Sequence, residues 1–235
     1  MHQLLKRIFG SSLGKKFIMG VSGCLLFLFV VAHLLGNLQI FLGAEVINRY
    51  GHFLQSNPEL LWPARIILLL MVGLHIWAAI RLTAENRAAR PVAYAHYEVV
   101  AASYASRTMF MSGLIILVFI IYHLLHFTVQ LQPINLTGQS FLDFHDPQQR
   151  HDVFRMMVVG FSNIWVSGFY LLGMALLCLH LSHGVSSMFQ SLGWKKKSYG
   201  LFLDKAARVI AIAIFLGYAS IPVAIFFGYG KEALR

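Results

Sequence analysis

The amino-acid sequence predicts an all-α integral membrane protein, in which a bundle of five transmembrane helices forms a single membrane domain over residues 1–235. Of the 235 residues, 58% are apolar and 12% are charged, about half the ~25% of charged residues usual in soluble domains. A soluble protein of this length cannot bury so much apolar surface, which excludes an ordinary cytosolic domain. The apolar residues form continuous runs rather than an alternating pattern, so we expect helices and not a β-barrel.

Five stretches almost free of charged side chains predict the helices in order. Four of them exceed the ~20 residues that cross a bilayer, and the second does so when it starts at Leu60 and Arg65 reaches the membrane surface. The first run is longer than the ~7–15 apolar residues of a secretory signal, so we expect it to be retained. The predicted helices cover residues 17–41, 60–82, 108–131, 158–187 and 207–229.

Lysine and arginine are unevenly divided between the two sides of the predicted bundle. The N-terminal segment, the second loop and the fourth loop, with the adjoining helix ends, contain four, four and five of the 19, and the other side contains six. The positive-inside rule therefore predicts a cytoplasmic N-terminus and an outside C-terminus. We expect the net charge of +10 to reflect this membrane surface and not nucleic-acid binding, because no nucleic-acid-binding motif accompanies it.

Histidine is the unusual residue of this chain. No Asp or Glu lies in a predicted span, but six of the 11 histidines do. Ionisable residues at membrane depth usually mark function, although a single imidazole often does no more than hydrogen-bond a neighbouring helix. The six are His33, His75, His123, His126, His180 and His183.

Four of these histidines fall into two layers when their depth is counted along the helices. At ~1.5 Å per residue, His33 and His123 lie about 24 and 22 Å from the cytoplasmic side, whereas His75 and His180 lie about 9 Å from it. Two imidazoles that face each other across a bundle are what six-coordinate haem iron requires. A zinc site fits less well, because two histidines leave its coordination shell incomplete and no carboxylate is near. We therefore predict these four histidines as axial ligands of haem iron.

A repeated Ser-Gly pair supports the two layers. Ser22 and Gly23 precede the outer histidine of the first helix by eleven and ten positions, and Ser112 and Gly113 precede that of the third helix by the same intervals. Eleven residues complete about three turns, so each serine lies on the face of its histidine, about 16 Å nearer the cytoplasm. We expect these small residues to let a flat macrocycle approach the helices at the inner layer. The alternative is that they only allow close helix packing.

The remaining intramembrane histidines and the inner cations receive secondary roles. His126 and His183 each follow a predicted ligand by three residues, but the depth estimate disfavours both, and we expect them to hydrogen-bond haem propionates or water. Lys15, Lys16, Arg81 and Arg107 lie at inner helix ends, where they are predicted to neutralise propionates or to dock a partner. Ordinary positive-inside charge is the alternative explanation for these cations.

Several stretches together resemble the cytochrome b558-type membrane anchor of succinate dehydrogenase/fumarate reductase. They are KKFIMGVSG followed by VVAH at His33, GAEVINRYGHF around His52, GLH at His75, SGLIILVFIIYH at His123 and CLHLSHG around His180. The resemblance covers most of the chain and implies a single-chain anchor with two b haems in a bacterial inner membrane. It also implies a flavoprotein and an iron–sulfur subunit on the cytoplasmic face, electron exchange with quinone, and no dicarboxylate site on this chain. By position, His33 and His123 match the outer haem ligands and His75 and His180 match the inner ones.

One departure from the pattern bears on the direction of the reaction. Some fumarate-reducing relatives carry a glutamate two residues before the fourth ligand, where this chain has Cys178. The absence of a carboxylate there favours succinate oxidation with a low-potential quinone, menaquinone. Two other functions stay open at this point: a di-haem quinone-reactive anchor of a hydrogenase or formate dehydrogenase, and a haem-free, histidine-bearing transporter. Against the transporter, the sequence shows no inverted repeat of broken helices.

Quinone reduction requires a proton donor and hydrogen-bond partners near the outer haem. The first outer loop offers Gln39, Glu45, Arg49 and His52, together with Asn48 and Glu59. The spacing of residues 45, 48, 49 and 52 places them on one face of a short interfacial helix. The alternative is a solvated loop helix without a ligand. His145 and His151, on the second outer loop, are further candidates.

Overall fold

A computed structural model describes residues 2–89 and 104–234, which form helices joined by loops and contain no β-strand. The connection over 90–103, which holds one of the basic residues of the predicted cytoplasmic side, lies outside the described residues. A 3₁₀ turn (Gln39–Leu42) extends the second helix, and a π-helical turn (Leu124–Thr128) extends the fifth. The helices are α1 (His2–Gly10), α2 (Ser12–Leu38), α3 (Ala44–Gln55), α4 (Pro58–Ala88), α5 (Tyr104–His123), α6 (Gln132–Asn135), α7 (Val153–Ser162), α8 (Ile164–Ser191) and α9 (Gly200–Phe226).

Five segments are long and apolar enough to cross a membrane, which confirms the predicted number of spanning helices. They contain α2, α4, α5, α8 and α9. Many large apolar side chains on these helices are exposed, as expected for surfaces that face lipid. The chain is therefore a multi-pass, all-α membrane protein.

The predicted start of the fourth spanning helix is wrong. The sequence predicted one helix over 158–187, but α7 ends at Ser162 and α8 begins at Ile164. Asn163 separates them with an extended backbone (ψ 122°), and its side chain accepts hydrogen bonds from the backbone N–H groups of Trp165 and Val166. An asparagine in this position caps a new helix, and the apolar sequence on both sides hid the break.

Other helix ends differ from the prediction because helices continue beyond the apolar run. The second spanning helix, α4, runs to Ala88 rather than to 82, and the last one, α9, starts at Gly200 rather than at 207. Charge-free windows mark the membrane core, whereas the hydrogen-bonded ladder extends into polar sequence at the membrane surface. The third spanning helix, α5, ends earlier than the predicted residue 131, because the π-helical turn that extends it finishes at Thr128.

The spanning helices pack so that two helix pairs meet at the centre. Helix α2 packs against α4, α5 packs against α8, and the contact between α2 and α8 joins the two pairs. Helix α9 covers α8 and part of α2. A buried cluster at this junction includes Leu34 from α2, Leu181 from α8 and Ala211 from α9.

The two ends of the bundle differ in character. At one end, hereafter the basic end, Lys15 of α2 forms an ion pair with Glu85 of α4 at 2.7 Å, although Lys15 is only 2% exposed. At the other end, hereafter the capped end, α3 and α7 pack against each other. Asn48 of α3 is buried there and donates to Oδ1 of Asp152 at 3.0 Å.

Candidate functional site

Four histidines from four helices meet as two pairs inside the bundle. The rings of His75 (α4) and His180 (α8) have centroids 6.3 Å apart, and those of His33 (α2) and His123 (α5) have centroids 5.8 Å apart. We call these the inner pair and the outer pair, after their predicted depths. All four residues are half-buried. The depth estimate had grouped the same residues.

The distance between the two pairs can be read along two separate helices. Ser22 of α2 contacts His75 of the inner pair, and the outer histidine of α2 lies eleven residues further along. Ser112 of α5 contacts His180 of the inner pair, and again the outer histidine lies eleven residues further along. Eleven residues of helix rise about 16 Å, so both helices separate the two layers by the same distance.

The serine contacts bear on which ring nitrogen of each inner imidazole carries the proton. The Ser22 hydroxyl donates its only proton to the backbone carbonyl of Ile18, at 2.7 Å, and its oxygen lies 3.3 Å from Nδ1 of His75. When the hydroxyl donates to this carbonyl, its oxygen accepts from Nδ1 of His75 in the tautomer that carries its proton there. The unprotonated Nε2 then has a lone pair available for a metal.

The same arrangement recurs on the other inner histidine. Ser112 donates to the backbone carbonyl of Met109 at 3.1 Å, and its oxygen lies 3.4 Å from Nδ1 of His180. Glycines stand beside both rings: a Cβ atom added at Gly23 would lie 3.3 Å from Cε1 of His75, and one at Gly113 would lie 3.6 Å from the matching atom of His180. The Ser-Gly pairs therefore border the inner pair, at the level where the sequence placed them.

Aromatic side chains surround the outer pair. Phe29 stacks on His33 with centroids 5.2 Å apart, and Phe119 stacks on His123 at 6.1 Å. The Tyr170 hydroxyl lies 3.2 Å from Nδ1 of His123 and 3.0 Å from Nδ1 of His126. Sequence reasoning missed Tyr170, because a single tyrosine in an apolar run carries no spacing signal.

The two competing histidines lie outside both pairs. His126 is fully buried against Phe127, at 4.0 Å between ring centroids, and its Nδ1 faces Tyr170. His183 lies nearer the basic end, where its Nε2 is 2.9 Å from the Ser187 hydroxyl. Neither ring contacts a ring of the opposite predicted ligand in the described part of the chain.

Two histidines in each layer suit a metal whose other ligands come from a macrocycle rather than from the protein. Among residues 2–89 and 104–234, no group of three or more His, Cys, Asp or Glu side chains is placed to hold a metal ion. A zinc or other bare ion needs about four protein ligands, whereas haem iron needs only two because the macrocycle supplies four nitrogens. Two imidazoles in each layer fit haem. A metal atom bound at about 2 Å by one nitrogen of each ring sets the two ring centroids about 6 Å apart, close to the 6.3 and 5.8 Å of the inner and outer pairs.

The inner cations differ in how they are used. Lys15 is neutralised by Glu85, and its Nζ also donates to the backbone carbonyl of Gly10 at 2.9 Å. Lys16, Arg81 and Arg107 are exposed at the basic end. Lys15 therefore ties α2 to α4, and the three exposed cations remain the candidates for a propionate or a partner.

The short helix predicted in the first outer loop is α3, but its polar face does not form one site. Gln39 and Arg49 line an open cavity of about 360 Å³ together with Val46, Tyr50 and Phe53. Glu45 instead pairs with Arg150 at 2.6 Å, and the hydrogen bond from this guanidinium lowers the pKa of the Glu45 carboxyl.

The other polar residues of α3 also point elsewhere. Asn48 is buried against α7, and His52 is exposed and contacts only the Ser56 hydroxyl among its described hydrogen-bond partners. Of the four predicted quinone residues, the structure brings together Gln39 and Arg49.

The second outer loop places its two histidines opposite each other in an isolated antiparallel bridge. His145 is exposed, and its Nδ1 contacts the backbone carbonyl of Asp143. His151 is half-buried, and its Nε2 lies 3.1 Å from Nε2 of Gln130. Burial, followed by the nearby His145, lowers the pKa of His151.

The fold and these contacts define a multi-pass membrane protein with two stacked histidine pairs. Comparisons of the chain with protein-family models, with curated proteins and with solved structures found no match.

Proposed function

We propose that this chain is the di-haem cytochrome b membrane anchor of a succinate:quinone oxidoreductase. The observation that carries the proposal is the pairing of four histidines from four helices in two layers. Histidine at membrane depth is costly, and a set of four that serves only helix packing has no reason to form two facing pairs about 16 Å apart.

The chain's own residues prepare both sites for haem. His75 and His180 would hold one haem and His33 and His123 the other. Bis-imidazole haem iron, when bound, accepts and releases one electron at a time. Ser22 and Ser112 keep Nε2 of the inner imidazoles unprotonated, and Gly23 and Gly113 keep bulky side chains away from these rings. The apolar helices around them exclude water.

The basic end suits soluble partners that deliver electrons. Lys16, Arg81 and Arg107 are exposed there, and the positive-inside rule assigns this end to the cytoplasm. We infer that a flavoprotein and an iron–sulfur subunit dock on this end. The dicarboxylate would then react on the flavoprotein, and this chain would contribute to the enzyme as its electron-transferring membrane subunit.

The capped end offers a place for the quinone. The cavity lined by Gln39 and Arg49 lies just beyond the outer histidine of α2, and both side chains can donate a hydrogen bond to a quinone carbonyl. Tyr50 and Phe53 give the cavity an aromatic wall. With Cys178 in place of an intramembrane carboxylate, we propose succinate oxidation and menaquinone as the acceptor.

Purification of the native complex tests this proposal. The chain carries an affinity tag, the complex is solubilised from its own membranes, and the co-purifying subunits are identified by mass spectrometry. We expect a flavoprotein, an iron–sulfur protein and succinate-dependent reduction of a menaquinone analogue. Co-purification of a hydrogenase or a formate dehydrogenase would replace the succinate assignment and leave the haem sites intact. A haem-free protein that purifies alone would contradict the proposal.

A further inference from the structure

Three buried polar side-chain atoms have no hydrogen-bond partner among the described residues, and they belong to residues near the capped end. They are Nε2 of His126, Oε1 of Gln130 and Nε of Arg155. Folded proteins satisfy most buried polar atoms with protein groups or with internal water. Two of these atoms, on His126 and Gln130, belong to one segment of the chain, four residues apart.

Among the described residues, nothing around His126 offers its Nε2 a hydrogen-bond partner. The side chain is fully buried, and its ring packs against Phe127 and Phe141. Within residues 2–89 and 104–234, Nδ1 is the ring nitrogen of His126 that is hydrogen-bonded, and its partner is the Tyr170 hydroxyl. The π-helical turn Leu124–Thr128 places the residue in this aromatic cluster.

The surroundings of Gln130 leave its carbonyl oxygen without a donor. The side-chain amide group contacts Nε2 of His151 at 3.1 Å and Sδ of Met156 at 3.4 Å. Met156 and Phe141 belong to one buried cluster, against which Phe127 packs. Gln130 and His126 therefore border the same cluster, one with an unused acceptor and the other with an unused ring nitrogen.

We propose that one internal water binds between Nε2 of His126 and Oε1 of Gln130. The water accepts a hydrogen bond from the Nε2–H group of His126 and donates one to the glutamine oxygen, and both atoms then have a partner. This site completes a hydrogen-bonded chain from His151, near the surface of the capped end, to Tyr170. Its ligand is water, and it exists whether or not the chain binds haem.

The direction of the hydrogen bonds has a consequence for the outer pair. With its proton on Nε2, His126 accepts a hydrogen bond at Nδ1 from the Tyr170 hydroxyl, and the phenol oxygen in turn accepts one from Nδ1 of His123. His123 is thereby left with an unprotonated Nε2. The water, Gln130 and Tyr170 act as positioning groups for His123, as the serines do for the inner pair; this consequence, unlike the water site, rests on the proposed function.

A double-mutant cycle tests the shared water. The thermal midpoint is measured in detergent for H126F, for Q130M and for the double variant. If one water joins the two residues, the double variant loses clearly less than the sum of the single losses, because removing both partners leaves no unsatisfied atom. Additive losses would overturn the proposal. Gln132, an exposed glutamine that donates to the Gly138 carbonyl, gives the matched control, since Q132M and H126F should be additive.

A second measurement does not depend on stability differences. Nitrogen-15 spectra of histidine-labelled wild-type protein report which ring nitrogen of His126 carries the proton, with the H126F spectrum used for assignment. The proposal requires the proton on Nε2. A proton on Nδ1 would overturn it, even if the haem content and the succinate activity were as proposed.

Discussion

Replacement of Ser22 by alanine tests the hydrogen bond that we propose prepares His75 of the inner pair to bind haem iron. The side chain is 1% exposed, and its oxygen lies 3.3 Å from Nδ1 of His75. Alanine keeps the Cβ atom and the helix, so the change removes an acceptor without creating a large cavity. His75 then loses the contact that keeps its proton on Nδ1.

The expected size follows from the length of this bond. Neutral hydrogen bonds contribute about 0.5–1.5 kcal/mol, and a contact of 3.3 Å belongs to the weaker half of that range. A loss of about 0.5–1 kcal/mol corresponds to a roughly 2- to 5-fold weaker hold on the inner haem. The effect should be confined to one layer, because the outer histidine of α2 lies three turns away.

The assay is haem occupancy under limiting haem supply. Haem per chain is determined in detergent for the wild type, for S22A and for S187A. Ser187 gives a matched control, because its hydroxyl lies 2.9 Å from a ring nitrogen of His183, which is not a predicted ligand. We expect S22A to lose inner haem and S187A to match the wild type.

Two outcomes would refute the reasoning. Equal losses in S22A and S187A would mean that serine–histidine contacts in this bundle act only on stability. Loss of outer haem in S22A, with inner haem retained, would mean that the layers have been assigned to the wrong helices.

Three further predictions concern packing, folding and pH. The variant G23L should remove haem from the inner site, because a Cβ at this position already lies 3.3 Å from the His75 ring. The control G73L should keep its haem, because a Cβ at Gly73 meets nothing within 4 Å. Haem occupancy is measured for both variants. The variant N48L should lower the free energy of unfolding by about 1–3 kcal/mol in a denaturant titration, because it removes the buried amide that joins α3 to α7. Acidification should loosen the second outer loop. Burial alone would raise the pKa of Asp146, but its hydrogen bonds and the Arg150 charge outweigh burial and lower that pKa. The ionised carboxyl therefore stabilises the folded loop above its unfolded pKa near 4, and this stabilisation is lost as the pH falls through the folded pKa. Hydrogen exchange of the loop between pH 5 and 2 measures this, and R150Q should weaken the pH dependence.

The number of spanning helices and the two histidine layers followed from local sequence. Charge-free runs report membrane burial directly, and the depth of a histidine follows from a constant rise per residue. The eleven-residue interval between Ser22 and the outer histidine of α2 has the same basis, because three helical turns return a side chain to the same face.

Features that depend on the third dimension were not predictable in this way. The break at Asn163 lies inside an apolar run, so only the backbone shows that one helix ends and another is capped there. Tyr170 approaches two histidines of α5 and its π-helical turn through helix packing, which no spacing in its own helix encodes. Glu45 shares a helix face with Arg49, but its partner, Arg150, is supplied by a loop more than one hundred residues away.

Haem content with single ligand replacements tests the central claim most directly. The protein is purified in detergent, and haem b is quantified per chain together with the reduced-minus-oxidised spectrum. We predict two bis-imidazole b haems per chain in the wild type, one in H180L, and two in H183L, which alters a histidine one turn away. A haem-free wild type, two haems in H180L, or a loss that occurs in H183L instead would contradict the assignment of the paired histidines as haem ligands.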